Sequence, residues 1–237
     1  MQKAIDGLLI NYEIIGRRKK PLLILHGWGN SLREWIPTAR QLSSKYKVIL
    51  VDLPGFGGST KPDDSWGIYE YGDFVEKLLL SLKVRRLILI GHSFGGRVGV
   101  LLAARKKLIE KLVLINAAGM ETRSWKGNLT LLLAPLFRDL PQWIKNWFGS
   151  VDYKNAGGLR QILVRIVNQD LTSEMTKINC PALIIWGEKD LVLPVSQAKK
   201  MKSLIKNSVL RIVWGAGHWP HLSKTREFVD VLEEEGI

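Results

Sequence analysis

A single cysteine, Cys180, occurs in 237 residues. With no second thiol an internal disulfide is impossible, and the Cys and Cys/His spacings that hold zinc are missing too. Cys180 also stands just before Pro181 and an apolar run, a poor setting for a thiol nucleophile. Long apolar stretches are equally scarce: the longest, around 129–137, falls far below the ~18 residues that span a bilayer. No charged-then-apolar leader opens the chain, because Met1-Gln2-Lys3-Ala4-Ile5-Asp6 runs into a hairpin turn at Asp6-Gly7. A soluble cytoplasmic protein with no membrane span is the expectation. No Pro/Gly/Ser-rich linker or internal repeat divides the sequence, so one main domain with one sizeable core is expected.

Acid is in short supply. Asp and Glu total 22 against 35 Lys and Arg, a formal net charge of +13. An acidic partner such as nucleic acid, a membrane surface or an acyl carrier protein would suit that excess. The basic residues are scattered, however, over Arg17-Arg18-Lys19-Lys20, Lys83 with Arg85-Arg86, Arg105-Lys106-Lys107, and Lys199-Lys200 with Lys202 and Lys206. Neither a recognition-helix pattern nor an aromatic-and-basic strand platform gathers them. A solvated basic surface is the reading, with no nucleic-acid partner expected.

What is present is alternation. Apolar or alternating runs predict strands near 3–5, 8–15, 21–26, 47–52, 86–91, 111–116, 182–186 and 209–214. Three-to-four spacing predicts helices near 31–44, 66–82, 94–107, 194–206 and 221–235. After an opening hairpin, strands and helices take turns, which implies an α/β fold with a mostly parallel eight-stranded sheet flanked by helices. Between 120 and 175 the pattern is helical only. Leu159, Ile162, Leu163, Ile166 and Val167 make one apolar face; Trp143, Ile144, Trp147 and Phe148 make another, opened by Pro141.

Gly91-His92-Ser93-Phe94-Gly95 directly follows the apolar run Leu87-Ile88-Leu89-Ile90 and precedes the small and aliphatic residues 96–104. A serine on a tight strand-to-helix turn is held in a strained backbone conformation, and glycines two residues to either side allow so sharp a bend. A serine hydroxyl needs an imidazole to take its proton and a carboxylate to orient that imidazole. Two later strands run into glycine-flanked loops that carry such groups. Ala182-Leu183-Ile184-Ile185-Trp186 leads to Gly187-Glu188-Lys189-Asp190, and Leu210-Arg211-Ile212-Val213-Trp214 leads to Gly215-Ala216-Gly217-His218. Glu188 and His221 are the competing acid and base. His221 follows Pro220 at the start of the last helix, where capping or packing is the plainer role.

With these segments the chain resembles the α/β-hydrolase family, over nearly its whole length. The resemblance implies Ser93 as nucleophile, Asp190 rather than Glu188 as acid, and His218 as base. It also implies an oxyanion hole built from the backbone N–H groups of Trp28, in His26-Gly27-Trp28-Gly29, and of Phe94. His26 is expected to brace its loop, as is Asp52 in Asp52-Leu53-Pro54-Gly55-Phe56-Gly57-Gly58-Ser59. The resemblance makes 120–175 a helical cap inserted in a core of 1–119 and 176–237. The cap carries seven basic and five acidic residues, only two of the net charges, which gives an acyl carrier protein little to dock on. Trp28, His92, Trp143, Trp147 and Trp219 are the expected substrate pocket.

No metal and no cofactor is needed for such chemistry. The expected activity is a serine carboxylesterase acting on small to medium acyl esters. Several segments, His26-Gly27-Trp28-Gly29 and Trp35 among them, are similar to the pimeloyl-carrier-protein methyl ester carboxylesterases, although His92 stands where that group usually has tryptophan. A carbon–carbon bond hydrolase, a lactonase, and a ligand receptor with little turnover are the alternatives on the same framework.

Overall fold

Residues 1–105, 107–120 and 157–237 are described by the computed structural model. The apolar runs form the strands β1 (Gln2–Ile5), β2 (Leu8–Ile15), β3 (Pro21–Leu25), β4 (Lys47–Val51), β5 (Leu87–His92), β6 (Ile109–Ile115), β7 (Ala182–Gly187) and β8 (Ser208–Val213). They make one sheet in the order β1-β2-β4-β3-β5-β6-β7-β8. The two pairings made by β2 are antiparallel and all later ones parallel.

Successive side chains on a strand point to opposite faces, so a run that is apolar throughout builds two cores at once. Leu23, Leu25, Leu87, Leu89, Leu112, Leu114, Ile184 and Trp186 pack with Phe74, Val75, Leu78, Val98 and Leu101 of α2 (Ile68–Ser81) and α3 (Phe94–Arg105). Leu22, Ile24, Val48, Leu50, Ile88, Ile90, Val113, Ile115, Leu183 and Ile185 face the other way. They meet Ala39 and Leu42 of α1 (Ile36–Leu42) and Phe228 and Leu232 of α8 (Thr225–Glu234). Among the described residues the remaining α-helices are α4 (Arg160–Asn168), α5 (Thr172–Met175), α6 (Val195–Leu204) and α7 (Pro220–Ser223).

Three sequence expectations need correction. The helix expected over 31–44 starts as a 3-10 turn, Leu32–Trp35, because Pro37 lies in the first turn of α1 and can supply no N–H there. The helix expected over 221–235 breaks at Lys224, whose φ of −139° and ψ of 50° separate α7 from α8. On α4, Ile162 and Ile166 are buried but Val167 is exposed: the contact stripe follows the i, i+4 pair and leaves the next position outside it. Trp143, Ile144, Trp147 and Phe148 lie outside the described residues.

Register fixes where the chemistry-bearing loops emerge. Leu25 pairs with Gly91, Gly91 with Leu114, Leu114 with Ile184, and Ile184 with Leu210. The segments after β3, β5, β6, β7 and β8 therefore all leave from the carboxyl edge of the sheet, where ligands of such sheets bind.

Candidate active site

At the end of β5 the backbone of Ser93 has φ of 48°, a left-handed conformation that a non-glycine residue adopts at a cost. Neighbouring contacts hold it there: the Ser93 N–H donates to Ile115 O at 3.0 Å, and its carbonyl accepts from Ala118 and Arg97 N–H at 3.3 Å. The flanking glycines are sterically required. A Cβ on Gly91 would lie 2.5 Å from Gly95 O, and one on Gly95 2.3 Å from Leu25 O. The serine itself remains half-buried while its neighbours are buried.

The loop after β7 delivers Asp190, and the loop after β8 delivers His218. Their side chains meet at 2.8 Å, His218 Nδ1–H donating to Asp190 Oδ2. The same carboxylate oxygen accepts from Asn116 Nδ2, while Oδ1 accepts from the N–H groups of Val192 at 2.7 Å and Leu193 at 2.8 Å. A carboxylate so engaged holds the imidazole in one tautomer and leaves Nε2 as the basic nitrogen. Glu188 is exposed and accepts from Gly215 N–H at 2.8 Å, bracing the two loops against each other. Among the described residues no hydrogen bond joins the Ser93 hydroxyl to His218.

Asn116 carries no motif, and sequence reasoning passed over it as the end of a strand. Its φ of 42° places it in the left-handed region that asparagine tolerates well. From there Nδ2 reaches Asp190 and Oδ1 accepts from Gly187 N–H at 3.3 Å.

The loop after β3 is tied down on both sides. His26 Nδ1–H donates to Gly27 O at 2.7 Å and its Nε2 accepts from Leu53 N–H at 3.0 Å. His26 O accepts from Gly95 N–H at 3.2 Å, joining this loop to the start of α3. Among the described residues neither the Trp28 nor the Phe94 N–H donates to an acceptor within the chain. Phe94 is the first residue of α3, where free N–H groups favour negative charge. The Trp28 indole sits edge-on to Phe56 and Phe94, with ring centroids 4.8 and 5.2 Å away.

Residues 22–231 match the sequence model of the alpha/beta hydrolase family. The chain belongs to that family. A hydrolase of Bacillus subtilis (strain 168), YugF, is 28% identical over 249 residues, covering 91% of this chain and 89% of the relative. Among solved structures, a membrane phospholipase A described as a bacterial virulence factor aligns at 29% identity with TM-score 0.82, over 99% of this chain and 84% of that one. The enol-lactonase from Burkholderia xenovorans LB400 shares the fold, with TM-score 0.82 at 23% identity over 99% and 98% of the two chains.

Within this hydrolase the expected pocket residues divide. Trp28 and Trp219 are half-buried, and the Trp219 ring stands edge-on to His218 with centroids 4.6 Å apart. Trp143 and Trp147 lie outside the described residues. His92 is buried, its ring centroid 5.1 Å from that of His218 and 6.1 Å from that of Trp219, and its Nε2–H donates to the main-chain carbonyl of His218 at 2.8 Å. The His221 ring is stacked on Trp35, 3.9 Å between centroids with 6° between planes.

Glu34, His92 and His221 are the one group of potential metal donors among the described residues, their ligand atoms lying within 4.8 Å of one another. The geometry fits a metal poorly. Glu34 Oε1 and His221 Nε2 stand 3.9 Å apart, wider than the roughly 3.4 Å between ligands on a tetrahedral zinc.

Arg97, one turn into α3, is a second residue that no motif announced. Its buried guanidinium donates to Ile166 O at 2.6 Å and to Gln169 O. Burial lowers its pKa to about 10, opposed by the charge of Asp170. Gln169 Oε1 in turn accepts from Ile68 N–H at 2.7 Å. The C-terminal end of α4 is thereby fastened to α2 and α3, beside the turn that carries Ser93.

Proposed function

We propose that this hydrolase cleaves carboxylic esters of small to medium acyl substrates through an acyl-enzyme formed on Ser93. The observation that carries the reading is the His218–Asp190 pair at 2.8 Å, with the other acceptor positions of Asp190 filled by Asn116, Val192 and Leu193. Such a pair has one free basic nitrogen, and it stands at the sheet edge that also carries the serine turn.

In the first half-reaction the Ser93 oxygen attacks the substrate carbonyl while His218 Nε2 takes the hydroxyl proton. The carbonyl oxygen becomes negative and is met by the N–H groups of Trp28 and Phe94. Collapse expels the alcohol, which leaves with the proton from His218. Water then attacks the acyl-enzyme with His218 again as base, and the acid departs as Ser93 regains its proton. Trp28 and Trp219 line the entrance in this reading, and the stretch 120–175 forms a cap that sets the acyl length.

A fluorophosphonate probe and p-nitrophenyl esters of increasing chain length test it. The intact protein is expected to be labelled and to release p-nitrophenol fastest from short chains, whereas Ser93→Ala loses both and stays folded. Undiminished turnover in Ser93→Ala overturns the mechanism. Tight binding with negligible turnover assigns the site to a receptor instead. Lactones belong on the same panel, since the same acyl chemistry opens them.

A further inference from the structure

Three buried polar side chains behind the serine turn have unmet hydrogen-bonding capacity. Among the described residues His92 Nδ1, Glu34 Oε1 and both ring nitrogens of His221 have no hydrogen-bond partner. Buried polar groups left in this state usually have a reason, because each carries a desolvation cost. They converge on one side of His92, while its other nitrogen is firmly engaged with the carbonyl of His218.

Proton placement follows from that engagement. A carbonyl only accepts, so His92 Nε2 bears the hydrogen and Nδ1 is a bare lone pair. A ring flipped to the other tautomer would set two lone pairs against each other at 2.8 Å. The bond to the His218 carbonyl therefore fixes the tautomer, and Nδ1 is left to face its neighbours. Glu34 and His221 are the groups at that position, and Trp35 fixes the plane of His221 by stacking on it. The other ionisable groups acting on His92 are His218 and His26. Burial, then the charges of His221 and His218, keep His92 neutral; it therefore adds no competing charge when His218 becomes cationic.

His92 also occupies a junction. It is the residue before Ser93, it bonds the loop of His218, and its Nδ1 would be 2.8 Å from a Cβ on Gly27 in the loop of Trp28. The nucleophile turn, the base loop and the oxyanion loop all touch this one ring.

We propose that His92 is a positioning residue for His218: its Nε2–H holds the main-chain carbonyl of His218 and so the loop that carries the imidazole. The inference rests on the reading of His218 as the base. Small displacements of a catalytic group are costly, so a loosened His218 lowers turnover more than binding.

The test compares His92→Phe, which keeps a ring but no donor, with His92→Gln, whose amide can donate from nearly the same place. Two readouts are taken on the full chain: the far-downfield proton resonance of His218 Nδ1–H, assigned by its loss in Asp190→Asn, and kcat and KM on a short p-nitrophenyl ester. The expected result for His92→Phe is a broadened or absent resonance and a kcat about tenfold lower with KM within about twofold, and His92→Gln restores both. An unchanged resonance and kcat in His92→Phe overturn the proposal, as does a folded His92→Gln that fails equally, since packing alone would then be at stake. A transition metal bound at one equivalent and lost in His221→Ala also overturns it. If the wild type hydrolyses no ester yet the resonance still follows the His92 series, the positioning role stands and the esterase reading falls.

Discussion

Two buried aspartates flank the serine turn, and they are satisfied almost equally well. Asp52 Oδ1 accepts from Leu32 N–H at 2.7 Å, and its Oδ2 from Gly58 N–H at 2.8 Å and Asn11 Nδ2 at 2.7 Å. Asp190 has a comparable set from Val192, Leu193 and Asn116. Burial and hydrogen-bond count therefore do not separate a brace from a reacting group. The separation lies in the additional partner: Asp190 has an imidazole that can gain and lose a proton, and Asp52 has only amide groups that cannot. Asp52 ties β2, the 3-10 turn at Leu32 and the loop of Gly58 together, and Asp190 orients the His218 ring.

The sharpest way to break that contrast is to neutralise each acid in turn. Asp190→Asn is expected to lower kcat by about 10⁴-fold on a p-nitrophenyl ester, since the amide favours the wrong imidazole tautomer. Asp52→Ala, by contrast, should cost about 2–3 kcal/mol in denaturant unfolding, from donors left unpaired in the interior, while the molecules that remain folded turn over nearly normally. Equal activity losses in the two variants would erase the distinction.

A third, partly buried acid sharpens the comparison from the other side. Burial raises the Glu34 carboxyl to about 7, opposed by contacts with Trp35 and Gly27. An acid with a raised folded pKa favours the folded state most below its unfolded value, and that advantage is lost as pH rises through about 7. His221, lowered to about 3 by burial and by the charge of His218, acts in the opposite sense: its contribution is present above its ordinary value of 6.5 and lost as pH falls toward 3. Glu34→Gln is expected to remove the decline in stability between roughly pH 4.5 and 7, a change of about 3 kcal/mol at most. Unfolding midpoints across that range check it, and an unaltered pH profile counts against a protonated Glu34. The smallest effect belongs to Glu188→Gln. Its exposed side chain still accepts from Gly215 as an amide, so stability should move by less than about 0.5 kcal/mol and kcat hardly at all; a large activity loss there would transfer the acid's role from Asp190.

How much of this could be read from sequence depends on how many residues encode each feature. Runs such as Leu87-Ile88-Leu89-Ile90 declared their strands because every position is apolar, and the strand-helix alternation then fixed the fold class. The serine turn was legible because two glycines must flank it, and the pairing of Asp190 with His218 because glycine loops after strands framed both residues. Asn116 and Arg97 were not legible: each is one polar residue inside an apolar stretch, with partners 74 and 69 positions away. The bond from His92 to the His218 main chain was not legible either, because nothing in the last residue of a strand names a carbonyl 126 positions away. The break at Lys224 escaped notice since Ser223, Lys224 and Thr225 are all compatible with a continuous helix.

The clasp of Arg97 and Gln169 on the end of α4 has a mechanical consequence. Arg97 grips the carbonyls of Ile166 and Gln169, and the Gln169 side chain accepts from Ile68 N–H, so α2, α3 and the end of α4 are riveted into one block. A load on α4 is thereby carried into the helix that starts beside Ser93, with Arg97 as the rivet.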